Sequence, residues 1–188
     1  DAELAAIVDD PAFPLASLSV LALRAGQPVY EGAFGRRTIG HGAFADRPAT
    51  PDTLYRIASI SKLVTTLGLM RLLEDGKVDL GADVSGYLGF SLRNPHFPAQ
   101  AITLRHLLLH TSSLRDDGGY FWPATTALKD VQPAWSNLAG PDGAYYTYCN
   151  LGFGLIGTIM ERVTGERFDR LMARLLLQPL GLQAGYNP

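Results

Sequence analysis

Residues 17–23 read Ser-Leu-Ser-Val-Leu-Ala-Leu, with Leu18, Val20 and Ala22 on one face at a period of two. That alternation predicts a half-buried strand. Residues 28–34 predict a second strand, and Arg24-Ala25-Gly26-Gln27 between them predicts a hairpin loop in which Gly26 supplies the turn. Ahead of this hairpin, residues 2–8 have helical character and stop near Asp10-Pro11; after it, residues 35–53 are rich in Gly, Arg, Pro and Thr and predict loop with at most a short strand. From Leu54 the patterning turns helical. Residues 59–75 are apolar almost all round, which predicts a helix buried inside the molecule and closed by Gly76. A short helix is expected over 104–110 behind the cap Thr103, and two more over 150–163 and 167–177, separated by Thr164-Gly165-Glu166. Residues 112–147, with many Gly, Pro, Asp and aromatic residues, predict a long ordered excursion.

The order is strands first and helices after, so the chain divides into residues 1–56, the N-terminal part of an α/β sheet domain, and 57–188, a helical lobe. A lone two-stranded hairpin is marginal in water, and its apolar faces need cover. With 188 residues and 47% hydrophobic content the chain is long enough for a core, and 18% charged residues is low. High apolar content with a net charge of −2 excludes disorder and gives no basic face for nucleic acid. The longest apolar stretch, residues 63–73, contains Thr65, Thr66 and Arg71, so no membrane span is expected. Cys149 is the single cysteine, which excludes an intrachain disulfide framework and a Cys-rich zinc module. The chain opens on Asp1 without a Met or a basic–apolar leader, which implies a processed or trimmed start.

Two short patterns carry chemistry. Ser59-Ile60-Ser61-Lys62 heads the apolar helix, and a spacing of three puts Ser59 and Lys62 on one helical face. A serine hydroxyl needs a base to become a nucleophile, and a lysine whose pKa is lowered by burial can be that base. Taken alone, the pair reads more readily as a chance spacing. Tyr148-Cys149-Asn150 directly precedes another helix. A phenol can relay a proton and an Asn amide can bind a carbonyl; alternatively Tyr148 is a core residue and Asn150 a helix cap. Cys149 between them reads as a small buried residue, since nothing nearby in sequence would activate it.

Taken together, Ser-x-x-Lys opening one helix and Tyr-x-Asn opening another resemble the serine β-lactamase and penicillin-binding-protein superfamily, in its class C β-lactamase, DD-peptidase and family VIII esterase branch. Tyr55-Arg56-Ile57-Ala58-Ser59-Ile60-Ser61-Lys62 is similar to that family's approach to its nucleophile helix. Residues 102–114 resemble its "ITLRHLLTHTSGL" stretch, and Leu177-Gln178-Pro179-Leu180-Gly181-Leu182 its "PLGM" helix exit. The resemblance implies a β-lactamase/transpeptidase-like α/β fold, an antiparallel sheet flanked by helices plus an all-helical lobe, with the sheet incomplete in this chain. It implies Ser59 as acylated nucleophile, Lys62 as general base or proton shuttle, Tyr148 as the partner moving the leaving-group proton, and Asn150 as the substrate-amide ligand. The Ser59 N–H would form half of an oxyanion hole. Whether Lys62 or Tyr148 is the base stays open.

Ser113 stands where the family commonly has Gly, and Cys149 where it has Ser or Ala. The family's third motif, a Lys- or His-led "KTG/HxG" on a strand, is absent: no lysine follows Lys129 and no histidine follows His110. The expected function is therefore a serine hydrolase of an amide, β-lactam or ester, needing no metal or organic cofactor, acting on a small-molecule acyl substrate. Its site would be completed by a C-terminal half or second polypeptide carrying the remaining strands and the third motif. The alternative is a non-hydrolytic binding or scaffold protein of the same fold. By analogy with the family, a periplasmic or secreted location is expected, with the cytoplasm open.

Three other patterns have plain readings. Gly152-Phe153-Gly154-Leu155-Ile156-Gly157 spells a dinucleotide fingerprint, but no strand precedes it, and close helix packing is expected instead. His106 and His110 are spaced for a metal yet lack a third ligand, so packing and hydrogen bonding are expected of them. Tyr120-Phe121-Trp122-Pro123 would either line a substrate pocket or anchor the long excursion.

Overall fold

The computed structural model of the chain describes residues 1–40, 45–123 and 125–186, which form two compact units, Asp1–Arg56 and Ile57–Pro188. In the first, α1 (Ala2–Val8) precedes β1 (Ser17–Arg24), β2 (Gln27–Thr38) and β3 (Arg47–Pro48), an antiparallel sheet in the order β1-β2-β3. Ala25 and Gly26 both take positive φ, 50° and 77°, so the hairpin closes through a left-handed pair, the geometry that follows the twist of adjoining strands. The register runs from Ser17 opposite Gly35 to Arg24 opposite Gln27, with an irregularity at Ala22/Leu23. As the period-two pattern requires, Leu18, Val20 and Ala22 are half-buried while Leu21 and Leu23 face outwards. β2 runs four residues further than the pattern indicated, because it also pairs with β3, which the Gly- and Pro-rich composition of 35–53 obscured.

The second unit is helical. A 3₁₀ turn at Ala58–Ile60 leads into α2 (Ser61–Glu74), followed by α3 (Val84–Leu88), α4 (Leu104–Leu108), α5 (Asn150–Thr164) and α6 (Phe168–Met172), the last continuing as a π-turn over Ala173–Leu177. Its core is one cluster around Leu69, Leu72, Leu88, Leu104, Leu107, Ile156, Ile159, Met160, Leu171 and Met172. Gly68 lets α2 come close: a Cβ there would lie 2.5 Å from Met172 Sδ and 3.3 Å from Met160 Cε. The sequence left α3 unmarked; it forms because Asp83 caps it, accepting the Ser85 N–H at 2.9 Å, and Gly89 ends it in the left-handed conformation.

One expectation is corrected. The helix that follows Ser59 is not buried on all sides: Thr65, Gly68, Leu69 and Leu72 of α2 face the core, whereas Ile60, in the turn before it, and Leu63 and Leu67 form a stripe 63, 62 and 45% exposed. Apolar residues on every face fit a helix packed on two sides, and among the described residues α2 is packed on one.

The long excursion after α4 is tied down by short elements. β4 (Leu114–Arg115) pairs antiparallel with β5 (Ala134–Trp135), opposing Leu114 to Trp135. Asn94, fully buried, donates to Ser113 Oγ at 2.9 Å and to the Ser136 carbonyl at 2.8 Å. Ser113 takes φ 65°; the replacement of the expected Gly costs about 1–2 kcal/mol of left-handed strain and provides the hydroxyl that Asn94 grips.

Candidate active site

Ser59 and Lys62 come from the turn and first helical residues of one element, Tyr148 and Asn150 from the start of another, and all four lie in the second unit. Ala58, just before Ser59, takes φ 43°; a left-handed alanine turns the chain sharply into α2 and sets Ser59 on the bend. Such conformations persist only where the surroundings impose them. The structure brings the four side chains together. Ser59 Oγ lies 2.6 Å from the Tyr148 hydroxyl and accepts from Lys62 Nζ at 3.3 Å; Lys62 Nζ also donates to Asn150 Oδ1 at 2.7 Å. Lys62 Nζ stands 4.7 Å from the centre of the Tyr148 ring and 5.6 Å from that of Phe153.

Electrostatics follow from these neighbours. Lys62, then Ser59, hold the Tyr148 phenol below its ordinary value of 10.0, against a smaller opposing effect of burial. The phenol is thus shifted towards giving up its proton, and the atom nearest to it is the Ser59 hydroxyl. Burial and then Lys62 also push His110 below the usual imidazole value. Its Nδ1 accepts the Cys149 N–H at 3.1 Å, and its ring lies against Tyr148 with centres 4.6 Å apart. His110, itself at φ 57°, buttresses the tyrosine. His106 closes a capping box on α4: Thr103 N–H donates to His106 Nδ1, and His106 N–H to Thr103 Oγ1. The i,i+4 pair thus serves a cap and a tyrosine support. Among the described residues no group of three or more His, Cys, Asp or Glu is arranged to hold a metal.

Asp116 is the residue that the sequence reading missed. Its carboxylate accepts from Asn150 N at 2.8 and 3.0 Å, from Asn150 Nδ2 at 2.8 Å, from Leu151 N at 3.3 Å and from the Cys149 thiol at 3.2 Å. Asn150 is therefore not the helix cap; Cys149 occupies that place without a side-chain cap bond, and Asp116, distant in sequence, satisfies two of the free N–H groups that a helix start leaves, those of Asn150 and Leu151. Burial pushes the Asp116 carboxyl up, but the donors from Asn150, Cys149 and Leu151 together outweigh it and hold it below the ordinary carboxylate value. Burial, foremost, raises the Cys149 thiol to about 12. No spacing pattern in the sequence marks Asp116, which follows Leu114-Arg115.

The aromatic cluster splits. Phe121 is 85% exposed, Tyr120 stacks on it, and Trp122 packs against the core, so Trp122 anchors the excursion. A pocket of about 270 Å³ lies elsewhere, walled by Phe90, Leu128, Val131, Trp135 and Leu151, and contains none of the cluster. Gly152 and Gly157 sit inside α5, facing Leu107 and Phe168, yet a Cβ at either would meet its neighbour only at 3.7 and 3.6 Å, ordinary contact, so the packing there is not so close that it needs glycine.

A beta-lactamase family model matches residues 5–186. The chain belongs to the beta-lactamase family. Penicillin-binding protein 4* of Bacillus subtilis is 30% identical over 87% of this chain and 36% of its own length. The D-alanyl-D-alanine-carboxypeptidase/endopeptidase AmpH of Escherichia coli is 31% identical over 73% of this chain and 38% of its own. Relatives named as a beta-lactamase, of Providencia stuartii, and as the esterase EstB, of Burkholderia gladioli, match over 86 and 74% of the chain. Among solved structures, the octameric penicillin-binding protein homologue of Pyrococcus abyssi superposes with a TM-score of 0.70 at 27% identity, covering 91% of this chain and 40% of that one. The mixed α/β architecture is thus that of the beta-lactamase/transpeptidase fold, and the family's relatives are hydrolases. The chain spans about two-fifths of the length of these curated relatives.

Proposed function

We propose that the chain carries the nucleophile half of a serine hydrolase that forms an acyl-enzyme on Ser59. The observation that carries this reading is that one hydroxyl, Ser59 Oγ, lies within hydrogen-bond reach of two groups able to move its proton, Tyr148 at 2.6 Å and Lys62 at 3.3 Å. In the proposed first step Ser59 Oγ bonds to the substrate carbonyl carbon while its proton passes to the Tyr148–Lys62 pair. The tetrahedral intermediate then collapses, the bond to the leaving nitrogen or oxygen breaks, and that atom takes the proton from the pair. Water repeats the sequence on the ester at Ser59 and releases the acid. Hydrolase relatives, including a carboxypeptidase, a beta-lactamase and an esterase, support acyl transfer as the chemistry. An amide, β-lactam or ester substrate follows from that shared chemistry.

On this reading the strand that carries a Lys- or His-led third motif comes from further polypeptide, either a C-terminal half or a second chain. The absence of lysine after Lys129 and of histidine after His110 supports it, as do the partial coverage of the relatives and the uncovered stripe on α2. Export to the periplasm or beyond remains part of the proposal by analogy with the family. A fluorophosphonate or a penicillin, incubated with the intact protein, is expected to add one adduct at Ser59 by mass spectrometry, and Ser59→Ala to abolish it. Folded protein that takes up neither probe would return the reading to a binding or scaffold role for the same fold.

A further inference from the structure

We propose that Asp116 is a positioning residue for the Ser59 site: its carboxylate fixes which way the Asn150 amide faces, so that the amide oxygen meets Lys62. The inference rests on the hydrolase reading above and adds to it a residue outside the Ser-x-x-Lys and Tyr-x-Asn patterns.

An Asn side chain has a donor end and an acceptor end that are nearly equal in shape, and only its neighbours decide the orientation. Here Nδ2 donates to Asp116 Oδ2 at 2.8 Å, and Oδ1 accepts from Lys62 Nζ at 2.7 Å. Turned over, the amide would present its oxygen to a carboxylate and its N–H₂ to a lysine, losing both bonds at once. An ionised carboxylate can only accept, so it enforces the observed sense. Asp116 is itself held: Asn150 N, Leu151 N and the Cys149 thiol donate to it, and its backbone follows directly on β4, whose Arg115 pairs with Ala134. The chain of contacts runs from Asp116 through the Asn150 amide to Lys62 Nζ, and from there to Ser59 Oγ at 3.3 Å. It makes Asn150, through Oδ1, a fixed anchor for the lysine, where sequence resemblance assigned it to the substrate.

A competing role is a cap for α5 alone, which would affect stability and leave chemistry untouched. The test therefore reverses the polarity of the pair in the intact protein, with circular dichroism confirming folding. Asn150→Asp alone sets two carboxylates against each other; fluorophosphonate acylation of Ser59 is expected to slow by about 10²-fold, the scale of a misplaced reacting group. Asp116→Asn alone should also slow it, with the concentration for half-saturation unchanged. Adding Asp116→Asn to Asn150→Asp restores a matched donor and acceptor in the opposite sense, with a carboxylate oxygen again towards Lys62, and is expected to speed acylation about tenfold over Asn150→Asp. A merely destabilising change would not accelerate anything. If the double variant is no faster than Asn150→Asp, or Asp116→Asn acylates at the wild-type rate while melting earlier, Asp116 is only a cap and the inference fails. If the wild-type protein takes up no probe, the hydrolase reading fails instead. The Asn150 side-chain ¹⁵N resonances then decide this one: Asp116→Asn should shift them and speed their hydrogen exchange, and unchanged signals would overturn it.

Discussion

The Ser59 hydroxyl has two neighbours that can take its proton, and the position of Tyr148 allows them to be told apart. Because Lys62 and Ser59 hold the phenol below its ordinary value, a tyrosine acting as base accepts protons once deprotonated, so acylation should rise with pH along a limb below 10. Tyr148→Phe should remove that limb from the profile of fluorophosphonate acylation. A limb that survives the substitution assigns the base role to Lys62. At this scale the spacings marked the side chains that the fold gathers: Ser59 and Lys62 at three residues, Tyr148 and Asn150 at two. It was silent on Asp116 and on the support of Tyr148 by His110, because both act across the tertiary structure, and a single aspartate after a turn has no pattern of its own.

Among the elements, α2 is the one on which the site depends, and Gly68 determines how closely it packs. A β-branched side chain there would overlap Met172, which is fully buried and backed by Met160. Gly68→Val is expected to cost about 1–3 kcal/mol by overpacking, read as a lower urea midpoint, and to slow Ser59 acylation by tilting the helix. Unchanged stability would mean that the two methionines can retreat. Helix and strand identities were legible wherever an apolar segment ran for several helical turns between breakers, as in α2 and α5, or alternated cleanly, as in β1. The elements that were missed or blurred are short or non-local. α3 owes its start to the Asp83 cap, β3 exists only by pairing with β2, and the π-turn after α6 interrupts a run that composition alone reads as continuous helix.

For the whole molecule, the sequence showed the strands-then-helices order, and the resemblance supplied the family; the extent of burial it could not supply, because an apolar face is the same in sequence whether covered or not. Ile60 in the turn before α2 with Leu63 and Leu67 on it, and Leu21, Leu23 and Val29 on the hairpin, are such faces. On the proposed reading, these 188 residues expressed alone should associate through them and lack turnover, and co-expression with polypeptide carrying the third motif should restore both solubility and activity. A monomeric, active preparation of the 188 residues, seen by light scattering and probe labelling, would refute that. The same fold also holds a gauge of its own integrity. Cys149 is the chain's single cysteine, 1% exposed, with its thiol proton held at Asp116 and its pKa raised to about 12. In the closed structure it should ignore alkylating reagents, so each slow modification event times an opening of the Tyr148–Asn150 segment, and a bound acyl group should lengthen that interval.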